Sequence, residues 1–443
     1  MALGIGDGPN ERYDRQLMIW GNTGQEVLLR AHVCVVESEQ TLLMQECIKS
    51  LVLMGVGEIT VVSNSCGSSQ AGLFGLDALQ RMNPNVNFHL KEMSSLPPDA
   101  QPQHAFWQSF SIIICLCTAG PMLQHVLGLS ASNVIHAYTF DDLGFIRLLG
   151  KEPHCVVNSH QHTTYDLRLN RMWDELAQYH RSFDLNHMSH EQVSSVPYSV
   201  LLFNVRQSLQ LKGIPINRKT VKAELSQLHN SLLTGPLSDD VNFAEAERFA
   251  FLLCKPTGEF PPNLTKIITT FESEPVSTVN RWVYQFALSV RSFFELNGDI
   301  PVSKAIPDME SSTSLFIAQK AIYHRKADKD KSEILKILAD KKFHLIPEHL
   351  MDIMLENLSC LDVILLGYKN SLPELHSGNP KYEELLSRQS NGNSSKLSSP
   401  SIISIIGAII SQECVKLLTH QYAPIENSMI YDGASNSTST FIL

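Results

Sequence analysis

Basic residues are fewer than acidic ones in this sequence, and its cysteines follow no pattern. The 443 residues include 35 lysines and arginines against 45 aspartates and glutamates, a net charge of -10, which argues against nucleic acid as the main partner. The nine cysteines are irregularly spaced, no Cys-x-x-Cys pair is present, and Cys34, Cys115 and Cys117 lie in apolar segments. This usage predicts free thiols in a reducing compartment.

Long hydrophobic runs are also scarce. The most apolar run, from Ile402 to Ile410, is too short to span a bilayer. Residues 1–10 lack the basic and then apolar pattern of a secretory signal. We therefore expect a soluble intracellular protein. With 43% apolar residues, the chain can bury the cores of two or three domains.

The first part of the chain, residues 11–162, alternates apolar strands with helices. A strand from Ala31 to Val36 is followed by a helix around Cys47 to Leu53 and by a second strand that ends at Val62. This order predicts a doubly wound, mostly parallel, Rossmann-like α/β sheet. Further strands are predicted at the apolar runs Ser111 to Cys117, Asn133 to Tyr138, Gly144 to Gly150 and Cys155 to Asn158.

Helical periodicity dominates residues 163–375 and predicts a mainly helical domain inserted into the first. The predicted helices run from Val200 to Leu211, Phe243 to Leu253, Val279 to Asn297, Ser312 to His324 and Lys331 to Lys341. Residues 376–397 are rich in Ser, Asn and Gly and predict a flexible linker.

Residues 398–443 predict a return to the first domain. The isoleucines between Ile402 and Ile410 make a helix that is apolar nearly all round, and such a helix is deeply buried. A tail would not bury this helix by itself. Residues 11–162 and 398–443 are therefore predicted to form one discontinuous domain.

Short segments spread in order along the whole chain resemble one protein family. The most distinctive is Tyr13-Asp14-Arg15-Gln16-Leu17-Met18-Ile19-Trp20-Gly21, which resembles the opening of the adenylation domain in enzymes that activate ubiquitin-like proteins. Others are Leu51-Val52-Leu53 with Gly55-Val56-Gly57, Leu167-Arg168-Leu169, Phe183-Asp184-Leu185, Ile306-Pro307-Asp308-Met309, Gln412-Glu413 and Thr440-Phe441-Ile442-Leu443. Together they resemble the regulatory subunit of neddylation-activating enzymes, the ThiF/MoeB-type, adenylation-like half of a heterodimer.

The resemblance implies that this chain acts through partners. These would be the catalytic subunit of the neddylation-activating enzyme and the Nedd/Rub ubiquitin-like modifier, in the cytoplasm and nucleus. Residues 163–375 would correspond to a catalytic-cysteine domain without its nucleophile. Arg15 would reach across the interface to the partner's ATP, as an arginine supplied in trans. An ion pair of Arg15 with Asp14 or another nearby acid is the alternative.

Three features of an ATP site are missing from the matching positions. Active members of the superfamily have a Gly-x-Gly-x-x-Gly turn after the first strand, where backbone amides approach the phosphates, but this chain has Glu37-Ser38-Glu39-Gln40-Thr41-Leu42. The acid expected after the second strand is absent at Ser63-Asn64, and the magnesium-binding aspartate is replaced by Thr118-Ala119-Gly120. We therefore expect no cofactor in this chain, and ATP with magnesium in the partner subunit.

No cysteine near or within the inserted domain has the setting of a nucleophile. Cys254 ends an apolar helix, and Cys155 and Cys360 lie in apolar runs, so we interpret all three as packing residues. Cys155 together with His160 and His162 does not complete a four-ligand metal set. The sequence therefore predicts neither a catalytic cysteine nor a metal site.

Trp20, Ile402, Ile406 and Ile410 are predicted interface residues, because the resemblance implies a sheet that dimerises through a large apolar surface. Burial within the chain's own domain explains the same pattern, and we expect one face of the helix in each environment.

Two other functions stay open on the sequence alone. One is an adaptor that binds the partner without supporting activation, since the chain is shorter than is usual for the family around residues 65–79 and 376–399. The other is an independent adenylyltransferase, or a dehydrogenase with Gly55-x-Gly57 as its glycine turn. That turn precedes a strand instead of following one, which is the wrong geometry.

Overall fold

The computed structural model describes residues 11–37, 40–63, 75–95, 100–117, 121–130, 132–160, 165–254, 258–272, 278–368, 379–390 and 398–443. The chain divides into two units. The sheet unit comprises Met1–His160 and Asp362–Leu443, and the helical unit comprises Gln161–Leu361. The sequence placed the end of the helical domain at residue 375, but strands begin again at Asp362 and belong to the sheet unit.

The strands of the sheet unit confirm the predicted fold class. They are β1 (His32–Glu37), β2 (Glu58–Ser63), β3 (Asn87–Glu92), β4 (Ile112–Leu116), β5 (Asn133–Phe140), β6 (Leu143–Gly150), β7 (His154–Val156), β8 (Asp362–Ile364), β9 (Gly367–Tyr368), β10 (Ser428–Asp432) and β11 (Ser437–Phe441). The main sheet has the order β3-β2-β1-β4-β5-β6-β10-β11. The first five strands are parallel to one another, and β6, β10 and β11 continue the sheet in antiparallel fashion. The order reverses between β1 and β4, which is the position of a ligand crevice in doubly wound sheets.

Strand β7 is not part of this sheet, so the prediction that Cys155 to Asn158 extends it is wrong. It pairs with β8 in a separate two-stranded sheet. The reason is that β6, the strand before it, is already hydrogen-bonded to β5 along one edge and to β10 and β9 along the other.

Helices cover the faces of the sheet and make up most of the helical unit. In the sheet unit they are α1 (Asp14–Arg30), α2 (Thr41–Met54), α3 (Leu76–Met82), α4 (Ala100–Gln108) and α5 (Pro121–Leu129). The helical unit contains α6 (Asp174–Arg181), α7 (His190–Ser194), α8 (Tyr198–Leu211), α9 (Arg218–Leu232), α10 (Val241–Arg248), α11 (Pro262–Phe271), α12 (Thr278–Asn297), α13 (Thr313–Asp340) and α14 (Glu348–Glu356). The sheet unit then adds α15 (Pro380–Ser390) and α16 (Pro400–Thr419).

Helix α13 joins two predicted helices into one of 28 residues. The charged stretch between them contains no Gly or Pro, and Lys326 Nζ lies 2.5 Å from Asp330 Oδ1 one turn later. Such i, i+4 pairs support a helix where apolar periodicity is weak.

Helix α15 lies where the sequence predicted a flexible linker, so that prediction is wrong for residues 380–390. Tyr382 and Leu385 are buried, and the ring of Tyr382 packs at 5.4 Å from that of Phe145 on β6. Lys381 Nζ donates to Asp432 Oδ2 at 2.5 Å, and this bond is the main reason why the pKa of Asp432 falls to about 2. The helix is therefore held by tertiary contacts that its polar sequence does not reveal.

Helix α16 is long and apolar enough to cross a membrane by length and composition, with a mean hydropathy of 1.6. On the sequence alone, the run from Ile402 to Ile410 is too short to span a bilayer. In the structure α16 packs against α2, β5 and β6, and 56% of its apolar 18-residue stretch is buried. It is a core helix of the sheet unit.

The isoleucines predicted at an interface are core residues, and their assignment to an interface is therefore corrected. Ile402, Ile406 and Ile410 are 4%, 0% and 0% exposed. Ile406 lies so close to Gly144 of β6 that a Cβ there would be 2.2 Å from Ile406 Cγ1. The outward face of α16 carries Ile405, which is 36% exposed.

Replacing Ile406 with alanine tests this correction. We predict that Ile406→Ala lowers the free energy of unfolding of the isolated chain by about 3 kcal/mol, because it leaves a cavity against the sheet. The neighbouring Ile405→Ala is the matched control and is expected to cost less than about 1 kcal/mol. Urea denaturation measures both; equal and small effects would show that Ile406 is not part of the core.

Candidate functional site

The carboxyl ends of the central strands meet where a nucleotide would bind in a doubly wound sheet. Glu37 ends β1 and is in register with Ser63 at the end of β2 and with Leu116 at the end of β4. Glu37 is 5% exposed. It therefore stands at the reversal of strand order between β1 and β4.

The Glu37 carboxylate is held at the start of α2 by hydroxyl groups. Thr41 Oγ1 donates to Glu37 Oε1 at 3.1 Å, and Ser63 Oγ donates to Glu37 Oε2 at 3.2 Å. A carboxylate is stabilised at a helix N-terminus for the same reason that a phosphate is. The chain's own anion therefore lies where a phosphate would be expected, and these residues do not fit ATP.

Gln40 closes the same edge from the other side. Its Oε1 accepts from the backbone N–H of Thr139 at 3.2 Å and from Thr139 Oγ1 at 3.0 Å. Of the other positions that lack ATP ligands, Ser63 is described and bonds to Glu37. Ser38, Glu39, Asn64 and residues 118–120 lie outside the described residues.

His136 lies one strand further along this edge. Its Nε2 donates to the carbonyl of Cys117 at 2.8 Å. Burial lowers its pKa to about 4, so the imidazole is neutral at pH 7. The interaction fixes the chain at the end of β4.

Arg15 lies in the first turn of α1 and is exposed. Within the part of the chain that the structure describes, its guanidinium makes no hydrogen bond or ion pair. The alternative of a local ion pair with Asp14 is therefore not found. A free guanidinium at the surface can bind a phosphate or carboxylate of another molecule.

Trp20 is only partly exposed and packs on its own unit. Its Nε1 donates to Gln25 Oε1 at 3.0 Å, and Gln25 Nε2 donates to the carbonyl of Met54 at 3.1 Å. The indole N–H thus has its hydrogen-bond partner within the chain. The role of Trp20 at an interface stays a prediction.

Met18 and Ile19 are the apolar side chains that the site prediction missed. Met18 is 87% exposed and Ile19 is 44% exposed. Met18 is three residues from Arg15 and so shares its helix face. That spacing could have been found in the sequence, but exposure of an apolar side chain could not.

Two of the cysteines considered as nucleophiles, Cys254 and Cys155, are not activated. Cys254 is exposed, but burial of its thiol is the main cause of a raised pKa, against an opposing effect of Arg218. Cys155 is buried and its pKa is also raised, and Cys360 is buried. A raised pKa reduces the thiolate fraction that attack requires. Among the described residues, no group of His, Cys, Asp or Glu is arranged to hold a metal ion.

No family model matches the chain, but curated proteins do. The NEDD8-activating enzyme E1 regulatory subunit of Saccharomyces cerevisiae is 29% identical, over 97% of this chain and 99% of the yeast protein. The protein of the same name from Danio rerio is 25% identical over 98% of both chains. This chain is a relative of the NEDD8-activating enzyme E1 regulatory subunits. The family resemblance stated from the sequence is thereby confirmed.

Some regulatory subunits match less of the chain. The Arabidopsis thaliana subunit AXR1 is 31% identical over 73% of this chain and 63% of AXR1. Among solved structures, PaaA is 16% identical with a TM-score of 0.28 and covers 34% of this chain and 53% of PaaA. A structure of E. coli MccB is 14% identical with a TM-score of 0.26, over 36% of this chain and 53% of MccB.

Acid titration tests the burial of His136. Its pKa in the folded chain lies below the ordinary value of 6.5, so the unfolded chain takes up the proton first as pH falls. Its contribution to the free energy of unfolding is complete above pH 6.5 and is lost as pH falls toward 4, by at most about 3 kcal/mol. We predict that His136→Gln makes the stability of the chain, measured by urea denaturation, less dependent on pH between 7 and 5. The exposed His125→Gln is the control, and an equal slope in both variants would contradict the assignment.

Nucleotide titration tests the closed edge. Because the Glu37 carboxylate repels phosphate and occupies the start of α2, we predict that the isolated chain shows no saturable binding of a fluorescent ATP analogue with magnesium. Saturable binding that unlabelled ATP displaces would contradict this prediction.

Proposed function

We propose that this chain is the regulatory, non-catalytic subunit of a heterodimeric enzyme that activates a NEDD8-type ubiquitin-like modifier. The observation that carries the proposal is end-to-end similarity to the yeast and zebrafish regulatory subunits, which spans both units of this chain. A relative of only the sheet unit would leave the helical unit unexplained. In this proposal the helical unit helps to position the modifier.

The charges at the two ends of the site support a division of labour between subunits. Glu37 places a carboxylate where this chain would hold phosphate. Arg15 presents a guanidinium at the surface that has no partner in the described part of the chain. In the proposed enzyme the catalytic subunit holds ATP and magnesium, and Arg15 stabilises the negative charge on that ATP during attack by the modifier's terminal carboxylate.

The partner surface would include the exposed face of α1 in place of the buried isoleucines of α16. Met18 and Ile19 are exposed beside Arg15, and Leu53 at the end of α2 is 47% exposed. Exposed apolar side chains around a functional cation are typical of a surface that a partner covers. An interface there would bring Arg15 to the partner.

ATP-dependent thioester formation between the modifier and the catalytic subunit tests the function. We predict that the reaction requires this chain and that Arg15→Ala slows it at least about tenfold, since an arginine supplied in trans stabilises the transition state. The matched control is Arg30→Ala at the other end of α1, where Arg30 pairs with Glu26; its rate should equal that of the unchanged chain.

Co-purification establishes that each variant still binds the catalytic subunit. If the chain binds but the thioester forms equally well without it, the protein is an adaptor and the proposal is wrong. If the isolated chain converts ATP to an adenylate, it is an adenylyltransferase in its own right.

A further inference from the structure

A break in the backbone separates the segment that carries Arg15 from the rest of its helix. Helix α1 is broken at Gly21, whose backbone has φ 68° and ψ 178°, so Arg15 belongs to a segment of seven residues, 14–20. A helix of fewer than two turns is not stable by itself in water. Its direction must be set by contacts with neighbouring elements.

Tyr13 anchors the start of this segment. Its side chain is 4% exposed, and its hydroxyl accepts from Asn83 Nδ2 at 2.8 Å. Asn83 is fully buried and also donates from Nδ2 to the carbonyl of Val52 at 2.8 Å. Both hydrogens of the amide are therefore used, and the phenol has a fixed partner.

Gly55 supplies the surface on which the Tyr13 ring rests. This glycine has φ +83°, and a Cβ there would lie 2.7 Å from Tyr13 Cε1. The backbone that ends α2 thus approaches the ring as closely as glycine allows. The same glycine caps α2 in the left-handed conformation, so Gly55-x-Gly57 is a helix end and not a phosphate-binding turn.

Further contacts hold the segment along its length. Gln16 Nε2 donates to the carbonyl of Leu53 at 3.0 Å. At the far end, Gln421 Nε2 donates to the carbonyl of Trp20 at 3.0 Å. By contrast, Arg15 has no hydrogen bond or ion pair within the described residues. Among these residues, its own backbone is therefore what positions the side chain.

We propose that Tyr13 and Asn83 are positioning residues that aim Arg15 at the partner's nucleotide. This inference rests on the proposed function, in which Arg15 acts in trans. The buried hydrogen bond between the phenol and the amide fixes the first turn of the segment, and the first turn fixes the position from which the guanidinium extends. A small displacement of a charged group costs a large part of its effect on a transition state.

A double-mutant comparison in the assembled heterodimer tests the proposal. Tyr13→Phe keeps the ring on Gly55 and removes only the hydroxyl. We expect it to lower the rate of thioester formation at saturating ATP about fivefold, the factor that corresponds to the net contribution of one typical hydrogen bond. The ATP concentration that gives half of that rate should change less. In a chain that already carries Arg15→Ala, Tyr13→Phe should cause no further loss, because the aimed group is gone.

Tyr431→Phe is the matched control. The Tyr431 hydroxyl donates to Asn436 Oδ1 at 2.8 Å, so this variant loses a similar bond elsewhere in the sheet unit and should keep its rate. Asn83→Ala repeats the test from the other partner of the bond if Tyr13→Phe fails to fold, as judged by its melting temperature.

The outcomes separate the two proposals. If Arg15→Ala slows the reaction but Tyr13→Phe and Asn83→Ala do not, or slow it equally with and without Arg15, the positioning role is overturned while the proposed function stands. If Arg15→Ala has no effect, the proposed action of Arg15 on the partner's ATP is wrong, and the positioning role is wrong with it.

Discussion

The packing of α16 against the sheet is the contact on which the sheet unit depends. Ile406, fully buried, lies directly over Gly144, more than 250 positions earlier in the chain. This contact brings the end of the chain onto β5, β6 and α2. Just beyond α16, Gln421 then bonds to the carbonyl of Trp20. The bond from Gln421 therefore links the end of the core helix to the segment that carries Arg15.

Two charged residues, Glu37 and Arg15, determine how the sheet unit can interact with a nucleotide. Glu37 uses the favourable field at the start of α2 for the chain's own carboxylate, so the usual phosphate position is filled internally. Arg15 is exposed and has no partner among the described residues. A protein with a filled anion position and an unpaired surface cation is suited to act on a nucleotide held by another subunit.

The sequence was sufficient to predict β1, β2, β4, β5 and β6 and the burial of α16, because continuous apolar runs and all-round hydrophobicity identify buried elements. It predicted a strand at Cys155 to Asn158 but assigned that strand to the wrong sheet, since pairing depends on which strand edges are free. It missed α15, which is held by Tyr382 and Lys381 through contacts with residues far along the chain. Similarly, the bond between Tyr13 and Asn83 spans 70 positions, and no local pattern encodes it.

The most direct measurement is an experimental structure of this chain bound to the catalytic subunit, the modifier and ATP. We predict one nucleotide in the catalytic subunit, with the Arg15 guanidinium within hydrogen-bonding distance of its phosphate oxygens and the Glu37 carboxylate still bonded to Thr41 and Ser63. A nucleotide bound beside Glu37, or Arg15 directed into solvent away from the partner's ATP, would contradict the central claim that this chain supports activation in trans.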